Sequence, residues 1–292
     1  TPMNQPSYTQ SVARKKLEHY SYLLTDAIGK GYSSQVFRGR NDLTNEQVAI
    51  KGINMSMLKS EVHQALLSSE IECLKTLVGC RSIIQLYEVY TTKNNTYIIT
   101  ELCEDGDLSK LIKKKKLPEQ RALQMIEQLV GGYLEIHRRN ILHRDLKPAN
   151  IFLKGDSLKI ADFGFAIRSD EQRKTANYNV GSPLYMPPEA LTNNKYSFKS
   201  DIWALGVVFF EMLTGRAPWK AKSEQDLSRK ITSEPIETLL PPDISTVAIE
   251  FLTKTLQSDI NIRMSPEELE RFSFSPKYFI DLKTSVKLQA GH

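Results

Sequence analysis

His143-Arg144-Asp145-Leu146-Lys147-Pro148-Ala149-Asn150 and, after a short hairpin-like segment, Asp162-Phe163-Gly164 place a carboxylate, a lysine, an amide and a second carboxylate on two neighbouring loops. An acceptor for a hydroxyl proton, a cation for phosphoryl oxygens and two hard oxygen donors for a divalent metal are what phosphoryl transfer from a metal-bound nucleotide requires. Taken singly, each residue has a plainer use: Asp145 can cap a turn, Lys147 can be a solvated charge, and Asn150 can satisfy amides at a bend. The whole set in this order is seldom assembled for those purposes.

The elements that must hold these loops are legible around them. At 292 residues the chain is long enough for two lobes with separate cores around one cleft, and 40% hydrophobic with 25% charged residues is ordinary globular usage. From Tyr22 the pattern is strand-like, and Gly29-Lys30-Gly31-Tyr32-Ser33-Ser34-Gln35-Val36 falls between two such runs. That is either a plain hairpin turn or a loop whose small residues let backbone amides approach phosphate oxygens. Val48-Ala49-Ile50-Lys51 alternates as a strand ending in lysine, and Ser69 to Leu74 is helical, with Leu66, Leu67, Leu74 and Leu77 forming an apolar face. Tyr97 to Cys103 reads as a buried strand running into a short connection near Gly106, followed by a helix that Asp107 can cap. The spacing of Ala122, Met125, Ile126, Leu129, Val130 and Ile136 predicts a long helix from Pro118 to Arg139, and Asp201 to Phe210 an interior one.

Charge and cysteine usage bound the function. The net charge of +5 is spread along the chain, so nucleic-acid binding is not expected; the one run, Lys113 to Lys116, reads as a solvated helix end rather than a docking patch. Cys73, Cys80 and Cys103 show neither paired nor metal-ligand spacing, which points to a reducing, cytoplasmic location. No apolar run approaches the ~20 residues of a bilayer span, so membrane insertion is not expected. The first residue is Thr1 rather than Met, as in a piece of a longer chain whose targeting information lies elsewhere.

With these motifs in place, the chain resembles the eukaryotic protein kinases of the serine/threonine type over residues 22 to about 280. The resemblance implies an α+β, two-lobed fold: a small, mainly antiparallel β lobe with one key helix, and a larger, mainly helical lobe. Its divisions would be an extension at 1–21, the small lobe at 22–103, the large lobe at 104–280 and a tail at 281–292. It implies ATP and Mg2+ as cofactors and proteins with serine or threonine acceptors as substrates. Asp145 would orient the attacking hydroxyl, Lys147 would stabilise the transferring phosphoryl, and Asn150 and Asp162 would hold metal. Lys51 would hold the α- and β-phosphates, fixed by Glu70 rather than Glu72, because Leu74 then shares the inward face. The nucleotide would lie against Ile28, Gly29, Lys30, Gly31, Ser34, Val36, Ala49, Lys51 and Phe152. Thr100 would guard the back of the adenine pocket, and backbone groups of Glu101 and Cys103 would bond the base. Asp107 would lie near the ribose, an account that stands beside the helix cap. Ser34 takes the place of the third glycine of the family's loop.

The stretch Asp162 to Glu189 corresponds to the activation segment. Glu189 is expected to pair with Arg263, and Gly181-Ser182-Pro183 resembles the serine/threonine version, in which the Ser182 hydroxyl contacts Asp145 and Lys147. Arg144 is the expected receptor for an activation-segment phosphate, with Thr175 or Tyr178 near the position that carries it; a loop that orders without phosphate is the alternative. Ala149 stands where arginine-selecting kinases carry a glutamate, so strong selection for upstream basic residues is not expected. Lys159-Ile160-Ala161-Asp162-Phe163-Gly164-Phe165-Ala166 together with Gly181 to Met186 is similar to the Unc-51-like, autophagy-initiating group, which implies scaffold proteins binding outside this domain. A second class remains beside the enzyme: an ATP-binding pseudokinase scaffold that signals by conformation.

Overall fold

The computed structural model describes residues 14–170 and 180–275. Six antiparallel strands come first: β1 (Lys15–Leu17), β2 (Tyr20–Lys30), β3 (Ser34–Asn41), β4 (Gln47–Asn54), β5 (Leu86–Thr91) and β6 (Asn95–Glu101), in the spatial order β1-β2-β3-β4-β6-β5. Side chains alternate across a strand, and this sheet uses both faces. Val48 and Ile50 of β4 pack with Tyr22, Phe37, Tyr97 and Ile99 in a core on one face. Their neighbours Ala49 and Lys51, with Ile98 and Thr100 of the paired β6, line a cleft on the other. The register Gly29↔Val36 and Lys30↔Gln35 turns the chain tightly between β2 and β3, leaving Tyr32 83% exposed at the tip.

The sheet begins earlier than the sequence pattern suggests. Residues 15–21, read as part of an extension, pair within it: Lys15 lies opposite Tyr22 and Leu17 opposite Tyr20. Three residues are too few to display an alternation, and the strand is anchored instead by Lys15 Nζ donating to Tyr97 Oη at 2.8 Å and by Arg14 donating to Ser21. Residues 1–13 and the expected tail 281–292 lie outside the described residues.

The small lobe carries one long helix, α1 (Glu61–Thr76), whose first turn is capped by the Ser60 hydroxyl. It buries Leu67, Glu70, Cys73 and Leu74 and leaves Glu72 exposed. The larger lobe is helical: α2 (Leu108–Lys114), α3 (Glu119–Arg138), α4 (Pro188–Asn193), α5 (Phe198–Thr214), α6 (Glu224–Ser233), α7 (Thr246–Thr255) and α8 (Pro266–Glu270). α5 starts in a Ser197/Ser200 capping box, buries nearly every residue from Ser200 to Leu213, and stops at Gly215 in the left-handed conformation. A helix apolar all round must sit inside the lobe, and this one is the post on which the loop from His143 to Asn150 rests. Two small ribbons sit between lobes, β7 (Ile141–Leu142) with β10 (Ile167–Arg168), and β8 (Ile151–Lys154) with β9 (Ser157–Ile160). Lys113 and Lys114 close the last turn of α2 and are exposed, as a solvated helix end would be. Among the described residues no helix is long and apolar enough to cross a membrane.

Candidate active site

A cleft of about 490 Å3 opens between the sheet and the β8–β9 ribbon. It is lined by Ile28, Gly29, Lys30, Gly31, Ser34 and Val36 of the first hairpin, by Ala49 and Lys51, by Thr100, Glu101 and Cys103, and by Asn150, Phe152 and Asp162. Reading the sequence did not place Leu74, Ile84, Ile98, Leu102 and Ala161 here; these apolar residues also line the cleft and, one by one, look like ordinary core. Asp107 does not line the cleft. Its carboxylate caps α2, accepting from Lys110 N at 3.0 Å and from the Ser109 hydroxyl and pairing with Lys110 Nζ, as the helix-cap account expects.

Lys51 and Glu70 meet at 2.5 Å, the carboxylate being 8% exposed. Burial works against the lysine charge, but the Glu70 and Asp162 carboxylates outweigh it and hold the Lys51 ammonium above its ordinary value. α1 is tied down at two further points: Ser69 Oγ donates to the Ala166 carbonyl at 2.7 Å, and Arg139 Nε to that of Thr76 at 3.0 Å.

The catalytic loop hangs from Asp201 of α5, which accepts from the amides of His143 at 2.8 Å and Arg144 at 2.9 Å. Burial pushes the Asp201 carboxyl upward against the opposing pull of His143 and these amides. The Asp145 amide donates to His143 Nδ1 at 3.3 Å; that nitrogen is therefore the acceptor, and Nε2 carries the proton shared with the Ala161 carbonyl at 3.2 Å. The His143 ring also packs 4.8 Å from Phe163. Arg144 and Asp162 both adopt left-handed backbone conformations, φ 64° and 61°, which non-glycine residues keep only where their surroundings enforce it.

Asp145, 4% exposed, has two unlike oxygens. Oδ2 accepts from Lys147 Nζ at 2.7 Å and Asn150 Nδ2 at 2.9 Å, whereas Oδ1 is buried without a partner among the described residues. Asn150 Nδ2 donates also to the Asp145 carbonyl, which leaves its Oδ1 as the atom available to a ligand. Lys147 Nζ reaches Ser182 Oγ at 2.8 Å; Ser182 meets the lysine and not, as the resemblance implies, Asp145 itself. Gly181 before it has φ 103°, and a Cβ there would fall 2.4 Å from the Arg144 carbonyl. Arg144 turns inward, donating to the Phe165 carbonyl at 2.7 Å and lying 5.5 Å from the Tyr196 ring, and burial pulls its guanidinium down to about 10. Thr175 and Tyr178 lie outside the described residues.

The donor chemistry suits a hard divalent cation. The carboxylate of Asp162 and the amide oxygen of Asn150 both border the cleft. The described residues contain no cluster of three or more His, Cys, Asp or Glu, so a metal here would take its remaining ligands from phosphate and water. Further out, Glu189 and Arg263 form a two-bond pair at 2.6 and 2.9 Å, with the arginine also lying 4.9 Å from the Trp203 ring. Cys103, half-buried at the cleft's edge, is pushed up to about 11 by burial and by the neighbouring Glu101 charge.

Comparison with known proteins agrees with this geometry. The chain is 38% identical over 257 residues to serine/threonine-protein kinase atg1 of Dictyostelium discoideum, covering 85% of this chain and 38% of that protein. It is 35% identical over 261 residues to serine/threonine-protein kinase ATG1c of Arabidopsis thaliana, covering 87% and 35%, and 34% identical over 283 residues to human serine/threonine-protein kinase ULK1, covering 92% and 26%. The chain thus spans well under half the length of these relatives. Residues 22–275, which include the sheet from Tyr22 onward, the cleft, the loops carrying Asp145 and Asp162 and the Glu189–Arg263 pair, match the protein kinase domain, and the chain belongs to that family.

Proposed function

We propose that the chain transfers the γ-phosphoryl group of ATP to serine and threonine hydroxyls of protein substrates. The observation that carries this reading is the division of labour on Asp145: one oxygen is fixed by Lys147 and Asn150, and the other is buried, unpartnered and adjacent to a lysine. A buried carboxylate oxygen left without a donor is costly, and a substrate hydroxyl would satisfy it. In this reading the hydroxyl donates to Asp145 Oδ1, which aims its oxygen at the γ-phosphorus. The new O–P bond forms as the bond to the β–γ bridging oxygen breaks, ADP leaves with that electron pair, and the hydroxyl proton passes to Asp145 and then to solvent. Lys147, steadied by Ser182, faces the charge on the transferring group, and Lys51, steadied by Glu70, holds the α- and β-phosphates. A magnesium ion held by Asn150 and Asp162 supplies charge neutralisation on the phosphates when bound. The likeness to atg1- and ULK-type kinases supports a role in autophagy-type signalling, with partners that engage parts of the protein outside this domain.

Transfer of labelled phosphate from ATP to a generic protein substrate tests the proposal. Asp145→Asn is expected to lower kcat about 10²- to 10⁴-fold while leaving the KM for ATP nearly unchanged, and Asp162→Ala to abolish transfer. Tight Mg-ATP binding by the wild-type protein without any transfer would overturn the enzyme reading.

A further inference from the structure

Glu101 ends β6 at the connection between the lobes, and its side chain has a role that its place in the cleft wall does not explain. The carboxylate is 4% exposed and takes three donors: Lys154 Nζ at 2.8 Å on Oε2, and Lys159 Nζ at 3.0 Å and the Gln85 amide at 2.9 Å on Oε1. The Glu101 amide returns a bond to the Gln85 carbonyl at 2.9 Å. Both lysines belong to the β8–β9 ribbon, Lys154 at the end of β8 and Lys159 beside Ile160. Ile160 in turn donates to the Ser82 carbonyl at 2.8 Å and accepts from the Ile84 amide at 2.9 Å. Three pieces of chain therefore meet on one carboxylate: the approach to β5, the start of the inter-lobe connection, and the β8–β9 ribbon, which Asn150 directly precedes and Asp162 follows two residues on. Burial alone would lift this carboxyl, but the bonds from Lys154, Lys159 and Gln85 prevail and hold it below its ordinary value.

We propose that the Glu101 side chain, with Lys159, is a positioning pair for the nucleotide: it sets the register between the backbone edge at Glu101 to Cys103 and the strand that delivers Asp162, so that one Mg-ATP meets both at once. This rests on the reading of the cleft as a nucleotide site. A buried carboxylate with two ammonium groups adds little to stability compared with an apolar packing, but it enforces one geometry, because any slip of the ribbon strands the charge. Lys159, 11% exposed, should matter more than Lys154, 48% exposed and screened by water.

The test separates ligands that engage both ends of the cleft from ligands that engage one. Glu101→Gln and Lys159→Met are expected to raise the KM for Mg-ATP about tenfold, with kcat, peptide KM and the affinity for adenosine (measured by competition) within about twofold, since one charge-assisted contact is lost. Lys159→Arg is expected to restore the wild-type KM, and Lys154→Met to change it less than Lys159→Met. An unchanged KM for Mg-ATP in Glu101→Gln and Lys159→Met would overturn the positioning role, as would equal weakening of ATP and adenosine or a loss confined to Tm and active fraction. Wild-type protein in which adenosine fails to compete with ATP would overturn the nucleotide-site reading instead, and so marks the failure of the premise apart from that of the pair.

Discussion

Lys51 illustrates how neighbours decide the state of a buried charge. Removal from water favours the neutral amine, yet Glu70 at 2.5 Å and the Asp162 carboxylate push the other way and win, so the ammonium persists beyond its ordinary value of 10.5. A lysine whose folded pKa is raised contributes its full stabilisation below the unfolded value and loses it only as pH rises through the folded one. The KM for ATP is therefore expected to show no lysine titration across the neutral range and to rise only at alkaline pH, beyond the ordinary lysine value of 10.5. A titration of KM against pH checks this, with Lys51→Arg as the variant in which even the alkaline rise disappears. The resemblance implied that Lys51 pairs with a glutamate of the next helix, and helical periodicity picked Glu70, which shares a face with Leu74 while Glu72 does not. The Glu101 clamp was not: its lysines are 53 and 58 positions away in the chain, and ion pairs at that separation leave no local period to read.

Among the elements, the segment of the activation region from Val180 onward depends on a close backbone approach. Gly181 combines a left-handed φ with a carbonyl 2.4 Å from where a Cβ would sit, and that carbonyl belongs to Arg144 of the catalytic loop. The Gly181→Ala variant must therefore back away from the loop that Ser182 and Lys147 join. It is expected to lose roughly 1–3 kcal/mol from backbone strain and, because Ser182 moves with it, to lose kcat while keeping the ATP affinity; thermal unfolding and steady-state kinetics measure the two parts. Elements of high periodicity, α3 and α5, were predicted to within a few residues, since a long amphipathic or fully apolar repeat overrides local ambiguity. The short ones were not: β1 offers only Lys15-Lys16-Leu17, and its place in the sheet comes from partners at Tyr20 to Tyr22 and at Tyr97 rather than from its own pattern. Asp107 left two accounts open for a similar reason, because a carboxylate before a helix has the same sequence signature whether it caps or binds.

For the whole molecule, the Glu189–Arg263 pair joins the end of the activation region to the far side of the large lobe across 74 residues. Arg263 is fully enclosed, bonded also to the Gln257 and Lys199 carbonyls and stacked near Trp203. Arg263→Ala leaves the Glu189 carboxylate, only 15% exposed, without its partner and is expected to cost about 3–5 kcal/mol. At ~2–4 °C per kcal/mol for a domain of this size, Tm falls by roughly 6–20 °C. Arg263→Lys, which keeps the charge and loses the planar two-bond fork, is expected to fall between the two in a thermal melt. A drop confined to activity, with Tm unchanged, would mean that the pair does not hold the lobe together.

The half-buried thiol at the mouth of the cleft also bears on covalent inhibition. A cysteine beside this cavity invites an electrophile-bearing inhibitor, but only the thiolate attacks, and with its pKa pushed up to about 11 Cys103 exposes roughly one reactive sulfur in ten thousand at neutral pH. A warhead placed against it reacts slowly unless the inhibitor brings its own base, so residence in the cavity, rather than bond formation, governs potency.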